Sequence, residues 1–322
     1  MTTATISPIT ARATALVAYL RPTAEELGRS LADDLADPAA FAAALDAGLA
    51  SLADPEYLEG QRRIAPGIGR LHGVRWPLIE AVRRGFRETT RREGTAGWLE
   101  VADRLLGEPE LEARWFAFGL LERLVVDDTE RAWQLIRRAS RDAGDWITVD
   151  SLAHPVGMGI LHESYRWAEL EQLVFSPSRW ERRLVGSTIA TLPFVDHRRG
   201  RAPEIATHGL GLIGELIGAA EPDVQKALAW ALRSRAGVDR ASTAAFLDSE
   251  ARTADSDRDG HRAWVIRDAL VKLDPADGER IRARLDGIRR RSDAPPTSRA
   301  SAIAGRFGDG LLGAPMPEPP LW

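Results

Sequence analysis

"EPELEARWFAFGLLERLVV" occupies Glu108–Val126, and "DTERAWQLIRRASRDAG" follows from Asp128 to Gly144. Both place apolar residues at steps of three and four, the period of one helix face. A single residue, Asp127, separates them. Two helices with so short a break suggest a packed pair. The same pattern extends outward. "PAAFAAALDAGLASLAD" from Pro38 and "PLIEAVRRGFRETTRRE" from Pro77 each open on a proline, which suits a first helical turn. "SPSRWERRLVGSTIATL", "PEIATHGLGLIGELIGAA" and "EPDVQKALAWALRSRAG" read as helices further on. Alanine, leucine, arginine and glutamate dominate, and no alternating strand or hairpin signal interrupts them. The fold class is therefore all-α, with helix pairs stacked in series.

The tryptophans suggest an irregular period. Trp115, Trp146 and Trp180 are separated by 31 and 34 residues, and Trp230 follows after 50. Helix-pair repeats of HEAT, armadillo or TPR type span about 34 to 47 residues. Stacking them into a superhelical solenoid lines one concave surface with equivalent helices, so residues distant in sequence converge there. Residues 1–60 read as a helical cap, 61–291 as the repeat domain, and 292–322 as a flexible Pro/Gly-rich tail.

Composition narrows the chemistry. Cysteine is absent, which excludes disulfides and thiolate metal sites and fits a reducing bacterial cytoplasm. No stretch reaches membrane-spanning length, and the N-terminus lacks a signal-peptide pattern. The net charge of −4 argues against a generic nucleic-acid coat but permits a local basic face.

Most motif matches dissolve in context. Gly209, Gly211 and Gly214 spell G-x-G-x-x-G inside an apolar helical pattern with no strand before it, so close helix packing replaces dinucleotide binding. "APGIGRL", Ala65–Leu71, resembles a DNA-binding hairpin loop, but "HGVRWP" then breaks the helix that should follow. An ordinary loop is the default there. His154 and His162 have no zinc spacing, and no metal site is expected.

Three segments remain. "DWITVDSL", Asp145–Leu152, puts Trp146 and Asp150 on one helical face. A core indole beside a surface acid is the plain reading; an aromatic wall and an anion that jointly hold a cation is the other. "SRWERRLVGSTIA" puts Arg182 and Arg183 in the first turns of a helix, either paired with acids or clamping a phosphate. "QKALAWALRSR" sets Trp230 among small alanines, as a core residue or a cleft wall.

Together "DWITVDSLAHPVG", "SRWERRLVGSTIATL" and "DVQKALAWALRSRA" resemble the DNA alkylation repair glycosylases of HEAT-like architecture, the AlkD-type family. The similarity runs from about Tyr57 to Leu273 and is strongest between Glu108 and Arg235. Both ends depart from the family, which leaves the lesion preference open. The resemblance implies a DNA N-glycosylase that releases positively charged N3- or N7-alkylated purines from duplex DNA without a base-flipping pocket. It implies Asp150 as catalytic carboxylate, Trp146 and Trp230 as cleft aromatics, and Arg183 as a contact to the DNA backbone. No metal or organic cofactor is needed. The chemistry is coherent, because an anion stabilises the cation developing on deoxyribose and orients water. Arg179, Arg182, Lys226 and Arg233 are further candidates for DNA binding, alongside Arg137, Arg138, Arg141 and Arg235. Acidic residues are then expected mainly on the cap and the convex side. A monomer suffices. Two alternatives stay open: a noncatalytic HEAT-like module binding DNA or protein, and a glycosylase specialised for bulky alkyl adducts.

Overall fold

The computed structural model describes residues 7–67 and 69–305. Ile68 and residues 306–322, the last part of the expected tail, lie outside the described residues. Among the described residues there are α-helices and short 3-10 turns but no strand, and one isolated bridge joins Arg70 to Glu110. No described helix is long and apolar enough to cross a membrane. The chain divides into two compact units, residues 1–136 and 137–322.

In the first unit, α1 spans Pro8–Ser30, α2 Pro38–Ser51, α3 Pro55–Ile64, α4 Trp76–Thr89, α5 Thr95–Leu106 and α6 Leu111–Asp127; α7, Thr129–Asp142, contains the division. Pro8, Pro38 and Pro55 start their helices, where the missing N–H costs nothing. Phe41, Phe86, Phe116 and Trp98 form an aromatic core with centroids 5.2 to 5.9 Å apart. α1 lies close along α4, because a Cβ on Gly28 would fall 2.0 Å from the Val82 carbonyl oxygen. α1 packs on α4 and α2 on α5.

In the second unit, α8 spans Trp146–His162, α9 Trp167–Val174, α10 Arg179–Val195, α11 Pro203–Leu216, α12 Pro222–Ala236, α13 Arg240–Asp257, α14 Gly260–Ala269, α15 Pro275–Arg284 and α16 Arg299–Gly305. α8, α10, α12 and α14 lie side by side and point the same way. Contacts climb both flanks of α10 in register. Asp150 meets Arg183 near the starts of α8 and α10, and Gly157 faces Leu192 and Val195 near their ends. Gly186 opposes Ala227, and the Ser234 hydroxyl donates to the Ala190 carbonyl at 2.7 Å. A Cβ at Gly186 would approach the Ala227 Cβ to 2.9 Å, so glycine permits the α10–α12 approach. α9, α11 and α13 return the chain between these parallel helices, and α15 follows the last of them.

These parallel helices begin at Trp146, Arg179, Pro222 and Gly260, so the repeat steps are 33, 43 and 38 residues. The tryptophan spacing misreads this period because Trp230 sits in mid-helix, whereas Trp146 and Trp180 sit in first turns. Residues 292–303 make contacts with α11 and α14. Thr297 N–H donates to the Gly218 carbonyl at 2.8 Å, His261 Nε2 lies 3.0 Å from the Ala294 carbonyl oxygen, and α16 packs on α11. Backbone groups of Thr297 and Ala294 anchor this segment to Gly218, just past α11, and to His261 on α14.

Candidate functional site

The site assembles at the starts of α8, α10 and α12. Asp145 caps α8, accepting from Ile147 N–H at 2.9 Å, Thr148 N–H at 2.8 Å and the Thr148 hydroxyl at 2.6 Å. That cap fixes where the helix begins, and hence the face shared by Trp146 and Asp150. Trp146 is 39 % exposed at the first helical position. Asp150 lies one turn on, with 20 % of its side chain exposed.

α10 grips this carboxylate twice. Arg183 Nε donates to Asp150 Oδ1 at 3.0 Å and Nη2 donates to Oδ2 at 2.7 Å, a bidentate pair. Four residues later, the fully buried Ser187 hydroxyl donates to Oδ1 at 2.6 Å. Arg183 Nη1 also reaches the Asp223 carbonyl of α12 at 2.7 Å, and its guanidinium carbon lies 5.9 Å from the Trp146 ring centroid. One arginine thus ties together the acid, the indole and the start of the next helix. Oδ1 already accepts two bonds, while Oδ2 accepts one and keeps acceptor capacity for a further donor.

The other expected residues distribute unevenly. Trp230 is half-buried on α12, on a stripe with the exposed Lys226 one turn before and Arg233 one turn after. Among the described residues no ring contact or hydrogen bond joins Trp230 to Trp146 or Asp150. Arg182 is buried and bonds the Ser176 carbonyl and Glu221. Arg233 pairs with Asp268 of α14, and the exposed Arg179 lies 3.7 Å from Asp223 and over the Trp180 ring. For Arg182 and Arg183 two readings stood open, pairing with acids or clamping a phosphate. Both are held in ion pairs, Arg182 with Glu221 and Arg183 with Asp150, because the starts of α8 and α12 bring acids against the buried face of α10. Acids are likewise not confined to the far side. Glu221 and Asp223 stand at the edge of the site, each with an arginine partner.

Ser187 escaped the sequence reading, although its i+4 spacing from Arg183 was available as a signal. The Ala65–Leu71 glycine loop goes elsewhere. Gly67 and Gly69 have φ of 82° and 91°, and no helix follows at once. The N–H groups of His72, Gly73 and Val74 just after it close on the buried Glu112 at 3.2, 2.8 and 3.2 Å. They are not available to a phosphate. Gly209, Gly211 and Gly214 lie in α11; Gly209 packs closely on Ile189, whereas Gly211 faces open space and Gly214 leaves ordinary room beside Phe246.

Comparison with curated proteins finds no match. The family described as DNA alkylation repair enzyme matches residues 45–273, which include α8, α10 and α12 in full. That span covers most of the chain and every residue of the Asp150 cluster, and on it the chain belongs to the DNA alkylation repair enzyme family, whose substrate is DNA.

Proposed function

We propose that the chain is a DNA N-glycosylase that releases positively charged N3- or N7-alkylated purines from duplex DNA by hydrolysis, with Asp150 as its catalytic carboxylate. The observation that carries this reading is Asp150 itself: an acid held by Arg183 and Ser187, beside an exposed indole, yet still partly open. An acid serving packing alone gains nothing from an open edge.

In the reaction, the bond from C1′ of deoxyribose to the purine nitrogen breaks. Its electron pair goes to the base, which leaves neutral because alkylation had already made it cationic. Positive charge grows on the sugar, and the fixed carboxylate stabilises it. Water adds to C1′ and loses a proton, leaving an abasic site. Asp150 is placed to orient that water through Oδ2. The Trp146 face already accepts the Arg183 guanidinium, and a cationic sugar or base would find the same attraction. Trp230 would form the opposite wall from α12. Arg183 acts as a positioning residue, with its fork committed to the acid. Lys226 and Arg179, both exposed, are the better candidates for phosphate contact at this end.

Incubating the protein with methylated duplex DNA and quantifying free 7-methylguanine and 3-methyladenine by mass spectrometry tests the reading. Release by wild type and not by Asp150→Asn is the expected result. Retained DNA binding without release from methylated or bulky-adduct DNA would replace it with a noncatalytic binding module.

A further inference from the structure

The parallel helices have a second end. About 18 Å along α10 from Arg183, by helical rise, the chain turns through "DHRRGR", Asp196–Arg201. Arg183, Ser187, Thr191 and Phe194 follow at steps of four, four and three, so they share one face of α10. Phe194 ends that row and is exposed. The row is buried in the seam with α8 at Ser187 and Thr191, and the connection emerges at the far end of the seam that holds Asp150.

Four arginines, Arg198, Arg199, Arg201 and Arg235, gather at this connection, and Asp196 pairs with Arg199. Arg198 is exposed; the backbone N–H groups of Arg199 and Arg198, helped by the charges of both guanidinium groups, hold the Asp196 carboxyl below the usual range. Arg199 donates to the Leu161 carbonyl at 3.1 Å and lies 3.6 Å from Asp196. Arg201 Nε reaches the Pro193 carbonyl at 3.4 Å. Beneath them lies Arg235 of α12, fully buried. Its Nη2 donates to the Gly200 carbonyl at 3.0 Å, while Nε and Nη1 have no partner and no acid pairs with it. Burial, with Arg201 adding to it, pushes the Arg235 pKa down to about 10, so it stays protonated at neutral pH. Asp196 already accepts the backbone N–H groups of Arg198 and Arg199, both at 2.8 Å.

At the other end of the same helices, Arg179, Arg182 and Arg183 each have an acid. Helix capping explains part of the contrast, since the carbonyls bonded here lie near helix ends. A helix end carries only about half a unit of negative charge, too little to offset four guanidinium groups.

We propose that the Asp196–Arg201 connection, with Arg235 beneath it and Phe194 beside it, is a second contact surface for the sugar–phosphate backbone of duplex DNA. This rests on the reading that the Asp150 face receives DNA. The separation of about 18 Å exceeds the roughly 12 Å width of a major groove. A phosphate held here lies across a groove from the nucleotide at Asp150. Guanidinium groups grip phosphate without reading sequence, so the contact sets the angle and register of the duplex on the protein.

The test is fluorescence anisotropy of a labelled, undamaged duplex with the full chain, over a salt series from about 50 to 200 mM. Arg198→Ala/Arg201→Ala is compared with the charge-matched Arg240→Ala/Arg252→Ala on α13. The slope of log K against log salt should flatten by about 1.8 in the loop variant, at roughly 0.9 per phosphate lost, and stay unchanged in the control. An unchanged slope overturns the proposal, and a lowered melting temperature with that unchanged slope assigns the arginines to helix capping alone. Equal flattening in both variants overturns it too, as an effect of net charge. Wild-type base release is followed in parallel. Its absence with the slope effect intact sinks the glycosylase reading alone; its presence without the slope effect sinks this inference alone.

Discussion

Glu112 and Asp150 are both carboxylates held by several donors on helices, yet they are built for different ends. Glu112 on α6 is fully buried and accepts three backbone N–H groups from residues 72–74. Asp150 on α8 accepts only side-chain donors, from Arg183 and Ser187, and remains one-fifth open. Backbone donors in a loop have fixed directions and can enclose an acid completely. Side-chain donors from a neighbouring helix approach from one flank and leave the other free. Glu112 therefore braces a loop, whereas Asp150 presents a fixed charge.

The largest expected effect breaks the comparison on the structural side. Glu112→Ala strands three N–H groups, and at 1–3 kcal/mol for each such group it should cost about 3–5 kcal/mol or more, read by denaturant unfolding. Base release per folded molecule should hold. A loss below about 1 kcal/mol would show that the three bonds do not hold the loop.

Asp150→Asn should do the reverse. Base release should fall about 10²–10³-fold, the size seen when one charge-stabilising group is removed, with a smaller stability loss than Glu112→Ala. Equal damage to stability and rate would make Asp150 a second Glu112.

Asp54 sharpens the contrast as an intermediate case. It caps α3 and pairs with Arg75 at 2.8 Å. Burial pushes its pKa up, but the Arg75 hydrogen bond and charge, with the N–H groups of Tyr57 and Glu56, outweigh this and hold it below the ordinary 3.8. The folded state thus binds its proton less readily than the unfolded state. Its stabilisation is complete above the ordinary value and is lost as pH falls through the lowered one. Wild type should be more stable than Asp54→Asn at neutral pH and the two should converge in strong acid, by urea unfolding across pH. Curves that stay parallel would refute the linkage.

The smallest effect concerns Ser187→Ala. Loss of one donor should slow kcat about five- to tenfold, equivalent to roughly 1–1.4 kcal/mol, and leave KM unchanged. A change in KM alone would mean that Ser187 shapes binding and does not orient the acid.

The sequence by itself determined the local geometry. Helical periodicity specified an all-α chain, and the spacing of Trp146 and Asp150 put them on one face, because a helix repeats every 3.6 residues whatever it packs against. The segment containing Arg182 and Arg183 was legible as helix, but their partners were not. Adjacent residues point about 100° apart, so Arg182 meets Glu221 while Arg183 meets Asp150. Ser187 joins an acid 37 residues away, and Arg235 lies beneath a loop 35 residues before it without any acid. Only the packing of α8, α10 and α12 settled those relations. Which charges are paired, and which are left open to a ligand, depends on how neighbouring helices are aligned, and that alignment is fixed by close contacts such as Gly186 on Ala227.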